Sequence, residues 1–206
     1  MLSVEYNKNI FINCPFDEEY RGIFQGILFT TIYLKYTPRL ALENADSGQT
    51  RINKIIKLIK ESKFGIHDLS RMVASGKDEY YRMNMPFELG IDYACQNIYS
   101  GKFPEKKILI LDSEQYRYQK AISDLSGCDI KEHKDDVIKA IEAVRNWLAN
   151  VDSKKPKGSK IIWNLYNDFQ ADLHNEAVVN DGHPSVDDVP ITEIIQYMKK
   201  WLKKPR

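Results

Sequence analysis

The stretch "KKILILD", residues 106–112, decides the fold. Ile108, Leu109, Ile110 and Leu111 run together and end on an acid, leaving no polar face, as a strand covered on both sides requires. Outward from it, short apolar runs alternate with longer segments of helical period, the order expected of parallel strands joined by helices. The expected fold is therefore α/β, a three-layer sandwich with a mostly parallel sheet of flavodoxin- or Rossmann-like type, followed by C-terminal helices.

Upstream, "KNIFIN" (8–13) reads as the first strand, and "FDEEYRGIFQGILFTTIYL" (16–34) as a helix with Tyr20, Ile23, Ile27 and Leu34 near one face. Asp17, Glu18 and Glu19 suit its positive N-terminal end. "RLALE" (39–43) is a candidate second strand, and "ADSGQT" (45–50) a turn before a helix carrying Ile52, Ile55, Ile56 and Ile59. "KFGIHD" (63–68) is the third strand. A polar loop then leads to "MNMPFELGIDYA" (83–94), which opens a helix running to about residue 99, with Pro86 in its first turn.

Downstream, "GCDIKEH" (127–133) offers a short fifth strand, and the helix at 135–151 places Val137, Ile141, Val144, Leu148 and Val151 on one stripe. "DSKKPKGSK" (152–160) has linker composition. Two further helical patterns follow, at 161–177 and 191–203. This divides the chain into an α/β domain over 1–151 and a linker with a helical extension over 152–206, packed on the core or on a partner subunit.

At 206 residues the chain can bury a full core without staples. Lys and Arg number 30 against 29 Asp and Glu, a net charge of +1, so no global field draws nucleic acid or anionic membrane, and neither partner is expected. Cys14, Cys95 and Cys128 are far apart and have no histidine at metal-ligand spacing, and His133, His174 and His183 are dispersed, so no metal site is expected. "MLSVEYNKNIFIN" (1–13) lacks the features of a signal peptide, and no apolar run approaches the roughly 20 residues that span a bilayer. A soluble, cytoplasmic protein is the expectation.

In an open parallel sheet the ligand crevice lies beyond the carboxyl ends of the strands. Those ends carry "NCPFDEEY" (13–20), "ENADSGQ" (43–49) and "DLSR" (68–71), and the loop after the third strand feeds the helix holding Glu88. In a first helical turn the macrodipole favours the ionised Glu88, while Phe87 and Leu89 beside it oppose ionisation. The alternative is an acid that merely suits a helix N-terminus. Asn13 and Asp17 stand at the mouth of the first strand. Phe16 and Tyr20 could flank a planar base, with core packing the stronger reading for at least one of them. Asp46 and Ser47 belong to a loop that could close over a substrate or be an ordinary capped turn. Cys14 as a nucleophile would need a base, for which His67 is the candidate.

These residues resemble a family. The strand, the "FDEEY" segment, the strand ending in Asp68 and "MPFELGIDYA" are similar to nucleoside 2-deoxyribosyltransferase-like proteins, whose corresponding helix carries an "ELG.A.A"-type segment. They also look like the related Toll/interleukin-1 receptor (TIR) NAD hydrolases. The resemblance covers roughly 9–112 and implies cleavage or transfer at an N-glycosidic bond of NAD or a nucleoside monophosphate. It makes Glu88 the catalytic carboxylate, either attacking the sugar or gripping its hydroxyls. With it, Asp68 and Ser70 would meet ribose hydroxyls and Arg71 a phosphate; the alternative for "DLSR" is a turn cap. The family implies a homo-oligomer, and "YNDFQADLHNE" (166–176) is the segment watched for a residue supplied across subunits. No cofactor is expected, NAD being a possible substrate only. A second class remains open: a non-catalytic nucleotide-binding sensor or assembly domain in antiphage defence or signalling. The chain has neither a G-x-x-x-x-G-K-[ST] loop nor a G-x-G-x-x-G fingerprint, which argues against P-loop NTPases and conventional dinucleotide-binding dehydrogenases.

Overall fold

A computed structural model describes residues 5–43, 48–74, 76, 83–153 and 155–204. Five strands, β1 (Asn9–Asn13), β2 (Thr37–Arg39), β3 (Phe64–Asp68), β4 (Lys107–Asp112) and β5 (Lys131–Glu132), form one sheet in the order β2-β1-β3-β4-β5. All pairings are parallel. Chain direction across the sheet reverses between β1 and β3, which is the switch point where such folds open a crevice.

Among the described residues there are six α-helices: α1 (Arg21–Tyr33), α2 (Arg51–Lys60), α3 (Asn84–Asn97), α4 (Val137–Val151), α5 (Ser159–His174) and α6 (Ile191–Trp201). α1 and α4 lie on one face and α2 and α3 on the other, giving the three-layer α/β sandwich. Helix composition follows from position. α2 is amphipathic, burying Ile55, Leu58 and Ile59 and turning its lysines outward. α1 is buried throughout from Ile23 to Ile32, because α5 and α6 cover the side the sheet does not. Its two inward threonines satisfy their hydroxyls locally, Thr30 Oγ1 donating to Gly26 O and Thr31 Oγ1 to Ile27 O, each at 2.8 Å. Gly26 lets α4 approach: a Cβ there would stand 2.8 Å from a methyl of Val137.

The C-terminal extension packs on this chain's own core. Phe29 of α1 meets Tyr166, Phe169 and Trp201, with ring centroids 5.6–5.8 Å apart. Tyr166 donates to Gly22 O at 3.2 Å. The segment watched for an intersubunit residue thus points its Tyr166, Phe169 and Leu173 into its own core.

Three boundaries differ from expectation. The second strand pairs only through Arg39, and residues 41–43 form a 3-10 turn instead. Glu43 closes that turn by accepting from Leu40 N at 2.5 Å and Arg39 Nε at 2.9 Å, and Pro38, lacking an N–H, is tolerated because β2 is an edge strand. α1 starts at Arg21, five residues later than expected. Asp17 turns the chain ahead of it by accepting from Tyr20 N at 3.1 Å. α5 passes at its end into a π-helical turn, Asn175–Asn180. Among the described residues no helix is long and apolar enough to cross a membrane.

Candidate functional site at the carboxyl edge of the sheet

The register sets Asn13 beside His67 and Asp68 beside Leu111, so the strand ends step along one edge. Asp68 is fully buried there. Its Oδ1 accepts from Ser70 N at 2.8 Å and from the Ser70 hydroxyl, and its Oδ2 from Tyr20 Oη at 2.6 Å; His133 Nε2 lies 3.0 Å from that same Oδ2. Burial alone would raise the carboxyl's pKa, but His133, Ser70 and Tyr20 reverse this and hold it below the ordinary value. A carboxylate offers about four lone-pair sites, and all are taken.

These contacts engage three residues expected around a substrate. Asp68 has no acceptor left for a ribose hydroxyl. Ser70 is likewise committed, donating to Asp68 and lying 2.8 Å from His133 Nε2. Tyr20 is fully buried with its hydroxyl on Asp68, so it belongs to the core and does not flank a base. Ser70, His133 and Asp68 do not form a nucleophilic relay, because serine and aspartate share one imidazole nitrogen while Nδ1 accepts from Asp135 N at 3.1 Å. Arg71 is paired with Asp17 at 2.9 Å and Glu19 at 3.2 Å, which ties the loop after β3 to the loop after β1 and occupies the fork expected to meet a phosphate.

A second buried network lies beneath, toward α3. Asn13 Nδ2 donates to Met85 O at 3.0 Å and approaches His67 Nδ1 at 3.1 Å; His67 Nε2 meets Asp92 Oδ2 at 2.9 Å. With Nδ1 accepting from the Asn13 amide, Nε2 carries the proton and donates to Asp92. Lys106, fully out of solvent, closes the chain on Asp92 Oδ1 at 2.9 Å and donates to Ile59 O and Ser62 O at 2.9 and 2.5 Å. Gly65 makes room, since a Cβ would sit 2.2 Å from Asp92 Oδ2. Asn13 is therefore a clamp for α3. It fixes that helix one turn ahead of Glu88, while Asp92 fixes it one turn behind.

Glu88 is buried, 3% exposed, and lies between α3 and the start of α2 rather than on an open crevice. Its charged partner is Arg51, 3.6 Å away and half-exposed. Burial raises its pKa above 4.5, and Arg51 offsets this only in part. Burial, with the carboxylates of Asp68, Asp17 and Glu88 adding to it, pushes the Cys14 thiol far up. His67 has both nitrogens engaged, so Cys14 has no base. Asp46 and Ser47 lie outside the described residues.

No protein-family model matches this chain, nor does any curated protein or solved structure. The edge's chemistry therefore rests on its own geometry.

Two further participants, His133 and Asp112, are not among the residues expected at the site. His133 follows β5, and the strand-end rule that selected Asp68 would have selected it too. Asp112, at the end of β4, is fully buried and pairs with Arg117, which also donates to Ser70 O at 2.8 Å. Burial raises its pKa against Arg117. Arg51, which the sequence sets beside Asp46 and Ser47 ahead of a helix, opens α2, and nothing in its spacing pairs it with Glu88. Phe16, 37% exposed, stays at the mouth of the first strand and packs edge-on against Phe24 at 5.1 Å.

Proposed function

We propose that this protein cleaves or transfers at the N-glycosidic bond of a nucleotide, NAD or a nucleoside monophosphate, with Glu88 as the key carboxylate. The observation that carries the reading is the state of Glu88: a buried acid near the start of α3, against the start of α2, with a raised pKa and one partly exposed arginine. Desolvated, incompletely paired carboxylates in this position are what glycosidic chemistry uses. As the bond to the base breaks, positive charge develops on the sugar, and a carboxylate out of water stabilises it more strongly than one in solution. Attack on C1′ and stabilisation of the charge both remain within the reading.

Arg51, at the first turn of α2, is suited to meet a nucleotide phosphate, and its fork would then leave Glu88 free to face the sugar. Asn13, His67, Asp92 and Lys106 act as positioning residues that hold α3 in place. The resemblance to nucleoside deoxyribosyltransferase-like and TIR-like proteins supports the same chemistry, with NAD as substrate rather than cofactor. A cytoplasmic homo-oligomer is part of this proposal; Met83, Phe87 and Tyr93 leave an exposed apolar face on α3 that favours self-association.

The test is release of free base, followed chromatographically, from NAD and from purine and pyrimidine monophosphates. Wild type is expected to release base, and Glu88→Gln to lose at least about 10²-fold in rate. Ligand-induced thermal stabilisation with no release from any of them would favour a binding or sensor domain. Equal release by Glu88→Gln would remove Glu88 from the chemistry.

A further inference from the structure

We propose that the cleft between the loop after β1, α1 and the start of α6 binds a single heteroaromatic ring, a pyrimidine or a pyridine carboxamide, and that the C-terminal extension supplies its outer wall. The cleft is lined on the sheet side by Phe16 and Gln25, and on the other by Leu42, Val189 and Ile191. Its volume is about 140 Å³, close to the ~150 Å³ of an apolar cavity that accepts one benzene ring. One ring fits within that volume, and a second fused ring would extend beyond it.

Asp17, Arg21 and Asp187 also line the cleft, and its uncharged polar group is Gln25. It is 6% exposed, and its Oε1 is taken by Gln170 Nε2 at 2.6 Å. Its Nε2 makes no hydrogen bond to a described residue and is not fully enclosed. An amide nitrogen that lines a cleft with N–H groups in contact with solvent can meet an acceptor on the ligand, and a ring nitrogen, a ring carbonyl or a carboxamide oxygen offers one. Phe16 contributes an aromatic surface held at right angles by Phe24. At the rim Arg21 pairs with Asp187 at 2.6 Å, fastening the segment before α6 to the first turn of α1. A helical extension remote in sequence thereby becomes part of a pocket beside the carboxyl edge.

The choice of a base as ligand rests on the glycosidic reading; the room for one ring and the free amide do not. The test is titration of the full-length protein with nicotinamide, cytosine and uracil, and with adenine and hypoxanthine, followed by ligand-observed NMR. Leu42→Trp, at a 47% exposed position where the fold tolerates change, fills the cleft, and Phe16→Ala removes the aromatic surface. At least one single-ring base should bind saturably, with at least about tenfold weaker binding by both variants and by the two-ring bases, a change of one decade in Kd. Absence of saturable single-ring binding to folded wild type, or binding indifferent to Leu42→Trp and Phe16→Ala, overturns the proposal. Base binding that follows this pattern in a protein releasing no base would uphold the cleft and remove the enzyme; release with no base binding would do the reverse.

Discussion

Asp68 and Glu88 are both buried carboxylates at the carboxyl edge of one sheet, yet they are held in opposite ways. Asp68 has Ser70, Tyr20 and His133 around its two oxygens, and its pKa falls. Glu88 has Arg51 at 3.6 Å, and its pKa rises. The difference shows that burial alone does not mark a reactive acid. A carboxylate whose lone pairs are all filled is a structural bolt, whereas one removed from water beside a single half-exposed arginine is held less tightly.

The contrast can be broken most severely at Asp68. Asp68→Ala leaves His133, Tyr20 and Ser70 without their common acceptor, and should cost about 3–5 kcal/mol in chemical denaturation. Its pH dependence has a definite sign. Because the folded pKa lies below the unfolded one, the stabilisation is present above the ordinary carboxylate range and is lost as pH falls through the folded value; the variant should lack that loss. Tyr20→Phe removes one of the donors and should cost about 1.5–3 kcal/mol.

Glu88 should behave oppositely. Its folded pKa is raised, so the folded state takes up a proton more readily than the unfolded one, and stability on its account grows as pH drops through the folded value. Glu88→Gln should therefore leave the melting temperature at neutral pH unchanged or higher. Arg51→Ala makes the smallest change in stability, under about 1 kcal/mol for a half-exposed pair. It should nevertheless raise the Glu88 pKa further, which the pH profile of base release would register.

Much of the layering was legible in the sequence. "KKILILD" announced a strand covered on both faces, and the alternation around it gave the parallel sheet. The second strand misled because "RLALE" has strand-like apolar content, while its fate turned on Glu43 folding back to the Leu40 amide, a contact that periodicity does not encode. For the site, the strand-end rule selects Asn13, Asp17, Asp68, Ser70 and Arg71, and the structure pairs Asp68 with Ser70 and Asp17 with Arg71 while Asn13 joins the network toward α3. Their use was not legible. Whether Asp68 faces a ligand or a histidine depends on His133, which is 65 residues away in sequence and is brought alongside by β4 and β5. The Gly65–Asp92–Lys106 arrangement was hidden for the same reason, since a buried lysine reveals itself only through its partners.

The most direct measurement is the titration of individual carboxyl groups by carbon NMR on protein labelled at Asp and Glu, with Asp68→Asn and Glu88→Gln assigning the two signals. Glu88 should titrate above the ordinary glutamate value and Asp68 below the ordinary aspartate value. A Glu88 signal at or below its ordinary value, or an Asp68 signal above its own, would contradict the division between a filled carboxylate and one held less tightly.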